Sequence, residues 1–127
     1  MAENEIGTLI LQHAYSIHSE LGPGLLETVY EVVLAHEVQN QGLFVERQKS
    51  VPIVYKNLKF DEGFRADVIV ENKVIIEIKS VEALLPVHAK QLLTYLKLSE
   101  KHLGYLINFR EPHLKAGIKR IVNRLET

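Results

Sequence analysis

Asp67, Glu77 and Lys79 are the residues of this 127-residue chain whose types and spacing point to chemistry. Glu77-Ile78-Lys79 closes the run Val74-Ile75-Ile76-Glu77-Ile78-Lys79, dense in β-branched residues and therefore expected as a strand. Side chains alternate faces along a strand, so Glu77 and Lys79 share one face while Ile76 and Ile78 take the other. Asp67 precedes Glu77 by nine intervening residues, within the expected strand Phe64 to Val70. Between the two strands lies Glu71-Asn72-Lys73, a short polar connection with Asn where a hairpin turn favours it. The hairpin folds Asp67 back beside Glu77. Two carboxylates and an amine then meet on one strand pair. Hard divalent cations such as Mg²⁺ take carboxylate oxygens and keep several waters. A lysine beside them can orient or help deprotonate a metal-bound water, making a nucleophile at neutral pH.

The elements that must position these groups follow from periodicity. Ile6, Leu9, Ile10, His13, Ile17 and Leu21 recur at helical spacing and predict an amphipathic helix ending at Gly22-Pro23-Gly24. A second helix is expected from Leu25 to Gln41, with Gly42 as its C-terminal cap. The period then changes. Phe44 to Gln48 leads into Val51 to Tyr55, a strand that Pro52 assigns to an edge or a bulge. Lys56-Asn57-Leu58-Lys59 reads as a turn. After Leu84-Leu85-Pro86, helical spacing returns from Val87 to Leu98. Leu103 to Phe109 is apolar on both faces, as an interior strand requires. Leu114 to Leu125 reads as a basic closing helix. The strand–helix–strand passage from Val74 to Phe109 is long enough for a crossover, so a mixed sheet covered by helices is expected.

In the Val87–Leu98 helix, Gln91 and Tyr95 stand four apart and so share a face. Asp67, then Glu77-Ile78-Lys79 on a hairpin, then Gln-x-x-x-Tyr on the next helix resembles the PD-(D/E)XK nuclease superfamily and its RecB-like members. Gly24-Leu25-Leu26-Glu27-Thr28-Val29-Tyr30 is similar to the signature of the GxxExxY family, assigned to the same superfamily, whose layout spans the whole chain. One departure is that Ala66 precedes Asp67, where the superfamily's name has proline. The resemblance implies a restriction-endonuclease-like α/β core with an extra N-terminal helix. It implies a phosphodiesterase acting on nucleic acid, with DNA the expected polymer. Asp67, Glu77 and the Ile78 carbonyl would hold Mg²⁺ or Mn²⁺, and Lys79 would activate the water. Glu27 would assist the metal, and Gln91 and Tyr95 would orient the site or substrate. Without the resemblance, Glu27 is a first-turn carboxylate favoured by the helix dipole, Tyr95 is core and Gln91 an exposed polar residue. Tyr30 is expected to pack against the sheet.

Arg65 shares the strand face of Asp67, and either neutralises a bound phosphate or pairs with Glu77. His88, near the start of its helix, is a second candidate phosphate contact, while His13 and His36 read as packed or rim residues. No His-x-x-x-His pair occurs and cysteine is absent, which argues against zinc, thiolate chemistry and disulfides. Neither a phosphate-cradling Gly-x-x-x-x-Gly-Lys loop nor a Gly-x-Gly-x-x-Gly turn is present.

A formal charge of −1, from 15 basic and 16 acidic residues, excludes a polycationic grip on nucleic acid. Positive charge must be local, as in Lys115, Lys119, Arg120 and Arg124, or Arg47, Lys49, Lys56 and Lys59. The 46% hydrophobic share is enough for one core, and the expectation is one domain over residues 1–127. No apolar run is long enough to span a membrane, and the acidic N-terminus lacks signal-peptide character, so a cytoplasmic protein is expected. The competing reading is a nuclease-fold module that no longer cuts and serves in binding or assembly. A homodimer or a partner protein is compatible with either.

Overall fold

The computed structural model describes residues 1–126. Two helices come first, α1 (Glu3–Leu21) and α2 (Glu27–Asn40), followed by strands β1 (Val45–Tyr55), β2 (Leu58–Val70) and β3 (Val74–Lys79). Helix α3 (Pro86–Leu98), strand β4 (Leu103–Asn108), a 3₁₀ turn (Leu114–Gly117) and strand β5 (Ile118–Val122) complete the chain. The strands form one sheet in the order β1-β2-β3-β4-β5. Only β3 and β4 run parallel, and α3 makes the crossover between them; the other neighbours are antiparallel. The mixed sheet flanked by helices, with an additional N-terminal helix, is the restriction-endonuclease-like α/β arrangement expected from sequence.

Strand alternation divides the apolar residues between two cores. Val68, Val70, Val74, Ile76, Ile78, Leu103, Tyr105 and Ile107 face α1 and α2, where Ile6, Ile10, Ile17, Leu34 and Val38 meet them. Ile69, Ile75 and Leu106 face the other way, onto Leu92 and Leu96 of α3. Each fully buried side chain of this size contributes about 1.5–3 kcal/mol, so both helical layers are held chiefly by apolar burial. Tyr30 is fully buried and stacks on Phe109 with 4.4 Å between ring centroids. Its hydroxyl donates to the Gly22 carbonyl and accepts from the Leu25 N–H at 3.1 Å, tying down the loop between α1 and α2.

The hairpin between β2 and β3 forms as its sequence implies, with Glu71 and Asn72 both at positive φ and Lys73 N–H donating to the Val70 carbonyl. β1 is an edge strand, and its register with β2 shifts at Pro52, where a missing N–H costs no ladder bond. Two expectations need correction. β2 begins at Leu58 rather than Phe64, so the turn after β1 is confined to Lys56-Asn57 and a two-stranded ribbon runs beyond the rest of the sheet. The expected closing helix from Leu114 to Leu125 is instead the 3₁₀ turn followed by β5. Its apolar residues do recur at helical spacing, but β4 is buried on both faces and needs a partner on its outer edge. β5, with β-branched Ile118, Ile121 and Val122, supplies that ladder from Leu103↔Val122 to Ile107↔Ile118.

Candidate active site

The ladder between β2 and β3 ends at Val68↔Ile76, one residue short of Asp67 and Glu77. Beyond that point the strands separate, and side chains take over the role of the backbone ladder. The Ile78 N–H, with no β2 carbonyl to meet, donates to Asp67 Oδ2 at 2.8 Å. Asp67 Oδ1 lies 3.4 Å from the Gln48 amide nitrogen, which donates to it. Glu77 continues the strand face of Ile75, so the packing of α3 that buries Ile75 also shields Glu77 from water.

That burial dominates the electrostatics of the site. It pushes the Glu77 carboxyl up to about 9, reinforced by the neighbouring Asp67 charge and opposed in part by Lys79. Glu77 Oε1 is buried without a hydrogen-bond partner. Two ionised carboxylates this close are costly unless a proton or a metal cation shares the site. Burial, and then the Glu77 charge, also raises the Tyr95 hydroxyl above its ordinary value.

A cavity of about 210 Å³ opens over these groups, lined by Arg65, Asp67, Glu77, Lys79, His88, Gln91, Leu92, Tyr95 and Leu106. The strand hairpin supplies the charged floor and α3 the wall, with His88, Gln91 and Tyr95 at helical spacing. Tyr95 is braced by a parallel stack on Phe64, 3.8 Å between centroids and 4° between planes. His88 Nδ1 accepts the Leu85 N–H at 3.1 Å at the start of α3, which leaves Nε2 as the nitrogen free for another partner. Arg65 makes no ion pair with Glu77; the ion pairs among the described residues are Arg47–Glu31 and Lys49–Glu46.

Seven residues expected from sequence therefore gather at one cavity, and Ile78 is tied to it through its backbone. Glu27 is placed elsewhere. Its carboxylate accepts the Ser80 N–H at 3.1 Å while Ser80 Oγ donates to the Leu25 carbonyl at 2.8 Å, clipping the start of α2 to the end of β3. Glu27 does not line the cavity. Sequence reading missed Glu31 and Gln48. Glu31 is a buried carboxylate held by Arg47 at 2.8 and 3.1 Å on one oxygen and by Gln48 at 2.7 Å on the other. Its one signal was the spacing of four from Glu27, which places both on one helix face.

The residues present suit a hard divalent ion of the Mg²⁺ type. They offer two adjacent carboxylates, one with an unsatisfied oxygen, and room for the waters such an ion retains. Among the described residues no group of three His, Asp or Glu side chains gathers at ligating distance, so main-chain or water oxygens would complete the shell. A larger cavity of about 290 Å³ lies between β1 and the C-terminal end of α3. Its Lys101 is engaged by the Asn72 carbonyl and Oδ1, both at 3.2 Å, and it has no paired carboxylates, so the chemistry belongs to the smaller cavity.

A family model for the PD-(D/E)XK nuclease superfamily matches residues 4–121. Comparison with curated proteins and with solved structures gives no match.

Proposed function

Because the chain belongs to the PD-(D/E)XK nuclease superfamily, we propose that it hydrolyses phosphodiester bonds of nucleic acid with the help of a divalent metal ion. The observation that carries this reading is the buried, partnerless Glu77 Oε1 beside Asp67, on the cavity that Lys79 also lines. Asp67, Glu77 and the Ile78 carbonyl would hold Mg²⁺ or Mn²⁺, which when bound supplies Lewis acidity toward the phosphate and its attacking water. Lys79 positions that water through its ammonium, which also offsets the charge that grows on the phosphate oxygens. Arg65 and the free Nε2 of His88 receive the non-bridging phosphate oxygens. Gln91 and Tyr95 fix the pose along the α3 wall. Glu27 acts on the site through Ser80, setting the backbone that follows Lys79.

The Gly24–Tyr30 motif supports placing the chain in the GxxExxY family, and DNA is the favoured substrate. No helix among the described residues is long and apolar enough to cross a membrane, which is compatible with a cytoplasmic enzyme. The test uses purified protein with Mg²⁺ or Mn²⁺ and single-stranded, duplex and branched DNA and RNA. Cleavage is expected, and its loss in Lys79→Ala and Asp67→Ala. Absence of cleavage in every combination, or cleavage that survives both substitutions, refutes the reading. In the first case a module that binds without cutting, alone or with a second copy or a partner protein, becomes the better account.

A further inference from the structure

Gln48 occupies a backbone conformation that its surroundings in the strand do not explain. Its φ is +49°. The other non-glycine residues at positive φ among those described are Lys56, Glu71, Asn72, Glu100 and Arg124, all in turns or just past the end of an element. Gln48 alone adopts it inside a strand, where left-handed backbone is disfavoured for a residue with a Cβ. The β1–β2 ladder steps from Arg47↔Val68 to Lys49↔Ala66, and the position skipped is Gln48 opposite Asp67. The distortion is thus centred on the metal-site aspartate.

What it achieves is geometric. With φ reversed, the Gln48 amide nitrogen lies 2.7 Å from Glu31 Oε1 and 3.4 Å from Asp67 Oδ1. A primary amide has two N–H donors, so one group can serve both carboxylates. Glu31 is itself buried and gripped on its other oxygen by Arg47. The chain Arg47–Glu31–Gln48–Asp67 runs from an ion pair between β1 and α2 to the carboxylate that also receives the Ile78 N–H. Asp67 is therefore held at both oxygens, one toward β3 and one toward β1.

We propose that Gln48 is a positioning residue: it keeps left-handed backbone inside β1 so that its amide, anchored on Glu31, fixes the rotamer of Asp67 for metal binding. Local strain of this kind persists where the surrounding structure over-determines it, and such sites are commonly functional. Groups that orient metal ligands in this way typically contribute 10- to 100-fold to metal affinity or activity. The proposal rests on the reading of Asp67 as a metal ligand.

Two substitutions separate backbone from side chain. Gln48→Gly suits the positive φ but removes the amide, and Gln48→Glu keeps the size but has no donor once ionised. Amide hydrogen exchange of the metal-free protein, read at Ile78 with Ile75 and Ile76 as internal controls, is combined with Mn²⁺ titration by calorimetry. The expected result is Ile78 exchange roughly 10-fold faster in both variants, with Ile75 and Ile76 little changed. Mn²⁺ affinity falls by about 10- to 100-fold in both. Ile78 exchange unchanged in Gln48→Gly overturns the proposal, whether or not the metal binds. A lower melting temperature with equally accelerated exchange at Ile75, Ile76 and Ile78 also overturns it, because that marks a general structural role. If the unsubstituted protein binds no Mn²⁺, the metal-site reading fails, and with it the functional part of the proposal; Ile78 exchange then decides only whether Gln48 orients Asp67.

Discussion

Replacing Glu77 with glutamine should make the metal-free protein more stable, increasingly so as pH rises. In the folded chain, burial and the adjacent Asp67 hold the Glu77 carboxyl up at about 9, against 4.5 for the free group. The folded state therefore binds a proton that the unfolded state releases from about pH 4.5 upward. Stability from this group is fully present below pH 4.5 and is lost as pH climbs through 9. Each pH unit within that window costs about 1.4 kcal/mol, so the climb from pH 5 to pH 7 costs on the order of 2.5 kcal/mol. For a chain of this length that corresponds to a fall of roughly 10 °C in melting temperature. An amide at position 77 has no charge to bury, fits the same space and can donate to Asp67. Thermal denaturation of both proteins in chelator, followed by circular dichroism from pH 5 to pH 8, gives the comparison. The other carboxylates impose a slope common to both proteins, so the reading is the gap between the two curves, which should open with pH. Parallel curves would show that Glu77 is hydrated and not held protonated, and the electrostatic case for a cation site would fall with it. Mn²⁺ should close the gap by stabilising only the carboxylate form.

Three further substitutions test the scaffold around the site. Tyr30→Phe keeps the stack on Phe109 but loses the hydroxyl bonds to Gly22 and Leu25, and a urea titration should show a loss of about 1–2 kcal/mol. Asn108 is fully buried and its side chain bonds the N–H and carbonyl of Val81 at 3.1 and 2.9 Å. Asn108→Ala should cost about 2 kcal/mol and speed proteolysis between Lys79 and Pro86, whereas unchanged protection would show that the segment is held by other contacts. Gly117→Ala would drive a Cβ into the Asn108 carbonyl oxygen. The backbone there must move, so a loss of roughly 1–3 kcal/mol is expected, and a neutral substitution would contradict the close approach of the 3₁₀ turn to β4.

The site was legible where its geometry is local. Strand alternation alone put Glu77 and Lys79 on one face, and Asn72 in the turn supplied the fold-back that sets Asp67 beside them. The spacing of Gln91 and Tyr95 placed both on one side of α3, and the structure sets that side against the hairpin. These relations depend on periods of 2 and 3.6 residues, which any stretch of chain carries within itself. The role of Glu27 was not legible, because the helix start that presents its carboxylate also presents it to Ser80, 53 residues away in sequence.

The identity of the chemical groups, the order of the elements as far as β4 and the two-faced strands were determined by the sequence itself, since each follows from residue type and near-neighbour spacing. Tertiary structure alone decided the rest. Leu114–Leu125 carries helical spacing yet becomes a turn and a strand, because β4 leaves an edge whose N–H and carbonyl groups need partners. Gln48 carries no signal at all, yet it turns against its strand to join Glu31 to Asp67, three segments that only the folded sheet brings together. Glu77 is an ordinary carboxylate in the sequence. Packing against α3 takes away its water, and that loss of hydration raises its proton affinity and leaves an oxygen suited to a cation.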